Sequence, residues 1–491
     1  MAQRLTWKKL LCEERFRESG SNKPTDYHNE FDKDYSRIVY SSSVRRLQDK
    51  AQVFPMQEND FTRTRLTHSI EVASLGRSLA WGIGDWLMDR GALEDVWEIK
   101  KLASMVETAC LLHDLGNPPF GHYGEDIIRK WFKSWFDSKE YKNLEKQHTE
   151  KKGTETLLLN EQQKCDFLFF EGNAQGIRIL TKLQILNDRY GANLTLGTLA
   201  TLIKYPWYSD DVKCKGKNKE KDEVSDDEKG KKKLGCFYSE REIFEQIKEK
   251  VGIAPHRHPA TLILEAADDI AYLPTDIEDA IKKGALKWEV VYDALKEEIR
   301  KYNSDKLDNL DRYTKLADDN KVPDRELVKV QNLKIILQVI FIEEVKNTFF
   351  NNYEKIMNGT FEGGLLENSK AKGIVDACKD ISYKYIFCNN EILSLELIGD
   401  RVITDLLDLF VPAVISITDC NRSKSKEQKL FQLISENFRY VQSFDKDTNS
   451  TVEFNTLTLY EKLQLVTDFI SGMTDTYAVN LHQKLLGTRM P

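Results

Sequence analysis

The sequence lacks the patterns that mark membrane and exported proteins. No apolar run approaches the ~18 residues that a membrane-spanning helix needs, and the N-terminus has no apolar signal region. The longest apolar stretch, Leu406–Ile417, contains Asp408 and Pro412, so we expect it to lie in the protein core. The eight cysteines include no Cys-x-x-Cys pair, which indicates free thiols in a reducing compartment. We therefore expect a cytoplasmic protein without a membrane partner.

Other absences narrow the fold and the ligands. With a net charge of −7 the chain has no overall basic field, so any contact with nucleic acid must be local. The sequence has no glycine-rich phosphate loop, no internal repeat and no alternating strand pattern longer than a few residues. It does have the length for a substantial core, and its charged fraction of 31% is that of a charge-rich globular protein. Together these features predict an all-α protein.

The chain is organised around one stretch, Met105–Asp126, which reads MVETACLLHDLGNPPFGHYGED. It begins as a buried helix that should stop near Gly116, because glycine suits the left-handed helix cap and Pro118 cannot continue the turn. His113 and Asp114 lie at this stop. Since adjacent side chains on a helix diverge by about 100°, both can reach one ion only over a helix end. A buried histidine can also be a satisfied core residue, and for His113 alone that interpretation stays open.

Two further polar residues follow the loop. His122 and Glu125 are three positions apart, so they share one side of the chain if a helix resumes there. A buried helix that ends in His-Asp and is followed by His-x-x-Glu is a poor design for packing. The pattern suits a metal ion with a proton-transfer pair beside it.

A third candidate ligand lies 45 residues before the His-Asp pair. The segment FTRTRLTHSIEVASLGRSLAWGI has apolar residues at helical spacing and carries His68, with Arg65 one turn earlier on nearly the same face. A lone histidine on such a helix is usually structural. The His-Asp pair further along the chain makes His68 a candidate metal ligand.

The segment TLILEAADDIAYLPTDIEDAIKKG predicts a second informative helix, which Pro274 should kink. Asp268, Tyr272 and Asp276 are spaced at four and line one face, while aliphatic residues form the packing side. Burying two adjacent aspartates without partners is costly, which favours ligand duty for one of them. Because Asp268 shares its face with Tyr272, we prefer it to Asp269 as the ligand.

Several other polar residues have a simpler interpretation. His256 and His258 are rival ligands, but they lie in a predicted loop where the helix begins, which makes them weaker candidates. Gln52 and its basic neighbours upstream can simply be solvated. The run from Lys213 to Lys233 consists almost entirely of Lys, Glu, Asp and Gly, and its default interpretation is a flexible surface loop. Its basic end, Lys231–Lys233, can also fold over a polyphosphate.

The candidate ligands occur in the order of the HD-domain metal phosphohydrolases, which the sequence resembles. Seven phrases in the same order are similar to those of bacterial deoxyguanosinetriphosphate triphosphohydrolases (dGTPases): KAQVFP, RTRLTHSIEV, LLHDLGNPPFGHYGE, FEGNAQGIR, IKY, EAADDIAY and SGMTDTYA. The matches run from about residue 40 to 480, nearly the whole chain. The resemblance implies a helical HD-type catalytic region at 1–290, with a flexible loop at about 211–233, and a helical region at 291–491 that completes the nucleotide pocket and the oligomer contacts.

The resemblance also implies roles for the positions that match the family's motifs. The metal ligands, for Mn²⁺ or Mg²⁺ and alternatively Fe²⁺ or Co²⁺, fall on His68, His113, Asp114 and Asp268. The proton-transfer pair falls on His122 and Glu125. Residues that hold the 3′-hydroxyl or pack against C2′ of the sugar fall on Gln52, Asp276 and Tyr272. Phosphate-binding residues fall on Arg65, Asn173, Lys204, Tyr205 and Lys233. Base-recognition residues fall on Val53, Phe387 and Glu396, whereas a basic residue around Arg422 does not align securely.

The implied reaction converts dGTP and water into deoxyguanosine and triphosphate, and thereby regulates the dNTP pool. Resembling enzymes form homo-oligomers, commonly hexamers, and some respond to single-stranded DNA or to a second dNTP. Two alternatives stay open: a nucleotide monophosphatase or phosphodiesterase with the same metal centre, and a nucleotide- or DNA-sensing oligomer without turnover. The complete ligand set, together with His122 and Glu125, argues against the second alternative.

Overall fold

Helices account for almost all of the regular structure of the chain. The structure is a computed structural model that describes residues 4–18, 28–52, 63–152, 158–184, 190–213, 233–320, 322–417, 424–445 and 450–489. Val53, Arg422 and the greater part of the lysine-rich segment, 214–232, lie outside the described residues. Within the described residues the regular structure comprises 23 α-helices, a few single turns of other helix types and one two-stranded pairing, which confirms the all-α prediction.

The α-helices are, in chain order, α1 Trp7–Leu10, α2 Glu30–Val39, α3 Ser42–Arg46, α4 Arg65–Asp89, α5 Val96–Leu112, α6 Gly121–Asp137, α7 Lys139–Lys152, α8 Glu161–Leu168, α9 Gly172–Arg178, α10 Leu196–Leu202, α11 Ser209–Lys213, α12 Arg241–Val251, α13 Pro259–Lys282, α14 Trp288–Tyr302, α15 Ser304–Asp319, α16 Arg325–Asn351, α17 Tyr353–Met357, α18 Lys372–Ile381, α19 Asn390–Ser416, α20 Lys426–Leu433, α21 Glu436–Ser443, α22 Leu459–Ser471 and α23 Asp475–Leu485. Two π-helical turns follow α9 and α18, at Ile179–Leu183 and Ser382–Ile386. Two short strands, β1 Phe444–Asp445 and β2 Ser450–Thr451, pair antiparallel, with Phe444 opposite Thr451.

The helices that carry the candidate site begin and end at recognisable local signals. The N-cap of α4 is Thr64, whose hydroxyl accepts from Thr67 N, and the N-cap of α5 is Asp95, whose carboxylate accepts from Glu98 N. Helix α5 ends at Leu112 with His113 at its cap, as the glycine and proline signals predict. Helix α6 then begins at Gly121, so the helix that the His-x-x-Glu spacing requires is confirmed.

Two clusters of buried apolar residues flank the connection between α5 and α6. Helices α4, α5, α13 and α16 belong to the first cluster, through residues such as Val72, Leu112 and Ile270. Helices α6, α19 and α22 belong to the second, through residues such as Ile128 and Phe410. The loop at 113–120 therefore runs from one core to the other. The division of the chain near residue 290 stays a prediction.

No helix in the described part of the chain is both long and apolar enough to cross a membrane.

Candidate active site

Three helices bring the four predicted metal ligands to one point. His68 lies in the first turn of α4, His113 and Asp114 follow the end of α5, and Asp268 lies in the middle of α13. The distance from Asp268 Oδ1 is 3.0 Å to His68 Nε2 and 3.6 Å to His113 Nε2. His113 Nε2 also lies 3.6 Å from Asp114 Oδ2. Ligand atoms of His68, His113 and Asp114 all lie within 4.8 Å of one another, as in a group able to hold a metal ion.

One atom in this cluster has no protein partner. His113 Nδ1 lies 2.7 Å from the Cys110 carbonyl oxygen. Because a carbonyl only accepts, Nδ1 carries the proton and Nε2 presents a lone pair. His113 Nε2 is fully buried and has no hydrogen-bond partner among the described residues. Buried polar atoms in folded proteins nearly always have a partner, and a cation fits a lone pair that faces two carboxylates.

Both carboxylates of the cluster are held in their ionised form. Burial alone would raise the pKa of Asp114, but the positive charge of the Arg65 guanidinium holds it well below its usual range. Arg65 Nη1 donates to Asp114 Oδ2 at 2.6 Å. Burial acts in the same direction on Asp268, and the hydrogen bond with His68 is among the effects that nevertheless lower its pKa to about 2. The cluster therefore offers two anionic oxygens and a free imidazole nitrogen.

The predicted proton-transfer pair lies at the start of α6. His122 Nδ1 lies 3.3 Å from Glu125 Oε2. Glu125 is buried, and its carboxylate also accepts from Gly172 N at 2.8 Å and from Arg129 Nη2 at 3.1 Å. The His122 side chain, by contrast, is 70% exposed. Glu125 thus fixes one face of the imidazole and leaves its Nε2 edge accessible to a ligand.

His122 also lies beside the metal-ligand cluster. Its positive form is one of the charges that lower the pKa of Asp114, with a smaller effect than that of Arg65. The predicted proton-transfer residue and a predicted metal ligand therefore share one electrostatic environment.

A buried acid, Glu171, assembles three of the predicted phosphate-binding residues. Asn173 donates to it through its backbone N (2.7 Å) and its side-chain Nδ2 (2.8 Å). Lys233 Nζ lies 2.9 Å from Glu171 Oε1 and 5.8 Å from the centre of the Tyr205 ring. Glu171 is not among the site residues predicted from the sequence. Its position two residues before Asn173, as the N-cap of α9, is the signal that identifies it as an anchor.

Another predicted phosphate-binding residue, Lys204, is held by α13 itself. Lys204 Nζ lies 3.9 Å from Glu265 Oε1, and Arg257 pairs with the same carboxylate at 2.9 Å. Burial would lower the pKa of Lys204, but Glu265 and other nearby acidic groups raise it, so the side chain is a cation. Because Glu265 precedes Asp268 by three residues in α13, this cation lies near the metal-ligand cluster.

The predicted sugar residues lie further along α13 and at the start of α4. Burial raises the pKa of Asp276 to about 7, an effect that the charge of His68 partly offsets. Burial also raises the pKa of Tyr272, with Asp269 and Asp268 adding to the effect. Gln52 follows Ala51, which pairs with Thr64 at the start of α4. Gln52 Oε1 is buried and has no hydrogen-bond partner among the described residues.

The two described base-recognition candidates lie in α19 and just before it. Phe387 follows the π-helical turn after α18 and is 45% exposed. Glu396 lies in α19, where burial raises its pKa and Lys130 of α6 opposes the shift. Within the described residues, no hydrogen bond or ion pair joins Phe387 or Glu396 to the metal-ligand cluster. Their shared role in a base pocket stays a prediction.

The rival ligand His258 has a structural role. It is the N-cap of α13, and its Nδ1 accepts from Ala260 N at 3.0 Å. Its Nε2 lies 3.1 Å from the Leu10 carbonyl oxygen and must therefore donate. Both ring nitrogens are occupied, which leaves His258 no atom for a metal.

Comparison with known proteins agrees with this geometry. Residues 65–188 match the model of the HD domain, and residues 413–484 match that of the phosphohydrolase-associated domain. A Listeria monocytogenes protein named deoxyguanosinetriphosphate triphosphohydrolase-like is 38% identical over 489 residues, which cover 98% of this chain and all of the relative. A like-named protein of Synechocystis is 33% identical over 98% of this chain and 99% of its own length.

A relative from Salmonella paratyphi A is named deoxyguanosinetriphosphate triphosphohydrolase without the suffix. It is 32% identical over 488 residues, which cover 93% of each chain. Relatives that match from end to end and an HD domain with its metal-ligand cluster establish a phosphohydrolase. The chain belongs to the HD-domain family of deoxyguanosinetriphosphate triphosphohydrolases and their like-named relatives.

Proposed function

We propose that the protein is a metal-dependent dNTP triphosphohydrolase that converts dGTP and water into deoxyguanosine and triphosphate. The observation that carries this proposal is the unpartnered His113 Nε2, which faces two ionised carboxylates beside the His122–Glu125 pair. The names of the full-length relatives support the choice of nucleotide.

The metal ion is held by His68, His113, Asp114 and Asp268. Two imidazoles and two carboxylates suit Mn²⁺ or Mg²⁺, and alternatively Fe²⁺ or Co²⁺. When bound, the ion supplies Lewis-acid polarisation of the phosphoryl group that is attacked.

The side chains around this centre divide the remaining work. Arg65, Lys204 and Lys233 supply positive charge to the triphosphate, and Asn173 and Tyr205 orient it. Hydrolysis at the α-phosphorus expels the 5′-oxygen of the nucleoside, a poor leaving group that needs a proton. His122 supplies this proton, because Glu125 holds its Nδ1 side and leaves the other nitrogen accessible.

The sugar and the base are recognised by different parts of the chain. Gln52 and Asp276 hold the 3′-hydroxyl, and the unpartnered Gln52 Oε1 fits such a donor. Tyr272 packs against C2′ and excludes a 2′-hydroxyl. Val53, Phe387 and Glu396 contact the base. We further propose a cytoplasmic homo-oligomer, expected to be a hexamer, that regulates the dNTP pool and responds to single-stranded DNA or to a second dNTP.

The products of hydrolysis test this proposal. The purified protein is incubated with Mn²⁺ and each dNTP, with GTP in parallel, and the products are separated by anion exchange. We expect deoxyguanosine and intact triphosphate from dGTP, with GTP hydrolysed far more slowly. Release of pyrophosphate or phosphate instead would identify a phosphodiesterase or phosphatase, and nucleotide binding without products would identify a sensor.

A substitution of Tyr272, the residue proposed to exclude a 2′-hydroxyl, separates sugar specificity from catalysis. Tyr272→Ala opens the space at C2′, so the ratio of dGTP to GTP turnover should narrow. An unchanged ratio would rule out Tyr272 as the gate while leaving the reaction itself in place.

A further inference from the structure

The loop between the metal ligands and the proton-transfer pair has an unusual backbone. Phe120 has φ 61° and Gly121 has φ 60°, both in the left-handed region. Glycine adopts this conformation readily, but phenylalanine does so only when its surroundings enforce it. Gly121 is also required here because a side chain would collide with the Arg65 guanidinium. Something outside the loop must therefore stabilise the turn that delivers His122.

The outside support is a carboxylate from the last helix of the chain. Asp475, the first residue of α23, is 2% exposed. Its Oδ1 accepts from Phe120 N at 3.0 Å, and its Oδ2 accepts from Ala51 N at 2.9 Å. One side chain thus fixes the strained residue before α6 and the residue before Gln52.

A buried lysine supports the other end of the same loop. Lys50 is 4% exposed, and its ammonium donates to the Asn117 carbonyl at 2.5 Å and to the Ser471 carbonyl at 3.0 Å. Asn117 in turn donates from Nδ2 to Asp114 Oδ1 at 2.6 Å. Lys50 therefore holds the residue that orients a metal ligand.

Lys50 and Asp475 support the two ends of the same loop. Each is almost completely buried and is held there by hydrogen bonds to backbone groups. Ser471 and Asp475 both lie within residues 413–484, the phosphohydrolase-associated region. Through these two contacts the C-terminal region supports the loop of the HD domain.

We propose that Lys50 and Asp475 are positioning residues for the two halves of the active site. Lys50 orients Asp114 through Asn117 and so tunes metal affinity, and Asp475 fixes the Phe120–Gly121 turn and so positions His122. The part that concerns turnover rests on the proposed function, whereas the part that concerns metal affinity does not.

The variant Asp475→Asn tests whether Asp475 positions His122. Asparagine has the same shape but only one acceptor oxygen, so one of the two backbone N–H groups loses its partner. We expect kcat to fall about 10- to 100-fold, the scale of a small misplacement of a catalytic group. The Kd for Mn²⁺ should stay within about twofold of wild type, because the metal ligands are untouched.

The variant Lys50→Met tests whether Lys50 influences metal affinity. Methionine fills a similar space but cannot hold the Asn117 carbonyl, so we expect the Kd for Mn²⁺ to rise about 10- to 100-fold. Direct titration of Mn²⁺ into the metal-free protein measures this without substrate. In both variants, hydrogen exchange of a peptide that spans 115–122 should accelerate, which reports on the loop independently of activity.

Asp34→Asn is the matched control. Asp34 is a fully buried aspartate that accepts from Thr195 N (3.0 Å) and pairs with Arg15 (2.5 Å), with no contact to the loop. It should lower the melting temperature while leaving kcat, the Mn²⁺ Kd and loop exchange unchanged in the folded protein.

The outcomes separate the two proposals. A folded Asp475→Asn protein with wild-type kcat and wild-type loop exchange overturns the inference for Asp475. Wild-type Mn²⁺ affinity in folded Lys50→Met overturns it for Lys50. If Lys50→Met does not fold, Asp475→Asn alone decides. If the wild-type protein hydrolyses no nucleotide, the proposed function fails, and the Mn²⁺ titration and hydrogen exchange still decide the inference.

Discussion

Two buried polar clusters in this protein resemble each other in composition and differ in how completely they are satisfied. In the first, all three guanidinium nitrogens of Arg178 donate to protein acceptors, which include Asp468 (2.7 Å) and Glu240 (2.7 Å). In the second, the metal-ligand cluster, His113 Nε2 has no partner among the described residues. Both clusters combine carboxylates with cationic or imidazole groups. Between these two clusters, the open nitrogen belongs to the one predicted to bind a metal.

One sequence motif that resembles the family contains both candidate-site residues and structural residues. In FEGNAQGIR, Asn173 lies in the phosphate-side assembly on Glu171. Gln175 and Arg178 of the same phrase both donate to Asp468 of α22, at 3.0 Å and 2.8 Å, and so serve the satisfied cluster. Resemblance alone assigns the phrase to the family but does not separate site residues from structural ones.

Removing the unsatisfied atom should have the largest effect. His113→Ala takes away one of four ligands, so we expect loss of stoichiometric metal and a fall in turnover of roughly 10⁴-fold or more, because the ion supplies several kcal/mol of transition-state stabilisation. Metal analysis and dGTP turnover measure both effects. The chelator EDTA should lower the melting temperature of the wild-type protein but not of the variant. A variant that keeps its metal and near-normal activity would show that His113 is a core residue after all.

Removing the predicted proton-transfer group should lower the rate of the chemical step and leave metal binding unchanged. For His122→Ala we expect kcat to fall by roughly 10²–10⁴-fold, the usual contribution of a general acid or base. Metal content should stay stoichiometric, as measured by elemental analysis of the purified variant. If metal were lost as well, His122 would be a ligand and the proton donor would have to be sought elsewhere.

Breaking the cluster around Arg178 should lower the stability of the fold and leave the metal site unchanged. Arg178→Met removes the cationic partner of the buried Asp468 and leaves Glu240 with Lys182 (2.8 Å), so the free energy of unfolding should fall by about 3 kcal/mol. Urea unfolding measures the loss, and metal content per folded molecule should not change. Arg4→Met is the control, because the exposed Arg4–Glu354 pair should contribute less than about 1 kcal/mol. Loss of metal in folded Arg178→Met would show that the two clusters are not independent.

The sequence predicts those parts of the site that depend on neighbouring residues. The end of α5 at His113 and the return of helix at Gly121 follow from glycine, proline and a spacing of three, and both are confirmed. The supports from distant parts of the chain were out of reach. Lys50 contacts Ser471 across 421 positions, and Phe120 contacts Asp475 across 355. Helical periodicity carries no information about which distant acceptor a buried group will find.

The smallest predicted effect concerns His258. Both of its ring nitrogens have partners, whereas His113 Nε2 has none among the described residues. Burial lowers the pKa of His258 from its usual 6.5 to about 4, a shift that the hydrogen bond with the Leu10 carbonyl partly opposes. Between these values the unfolded chain binds a proton that the folded protein does not, so the free energy of unfolding falls as the pH drops below 6.5. Between pH 6.5 and pH 5 this loss amounts to about 2 kcal/mol.

His258→Asn removes the titrating ring and retains a residue suited to the N-cap of α13. Urea unfolding of the metal-free wild type and variant, from pH 7.5 to pH 4.5, should give curves whose difference narrows on acidification. The other titrating groups, including those of the metal-ligand cluster, are common to both proteins and cancel in that difference. Parallel curves would mean that His258 accepts a proton in the folded state, which requires one of its two hydrogen bonds to open. In that case the contrast with His113 would be one of degree, because neither ring would be fully committed to the fold.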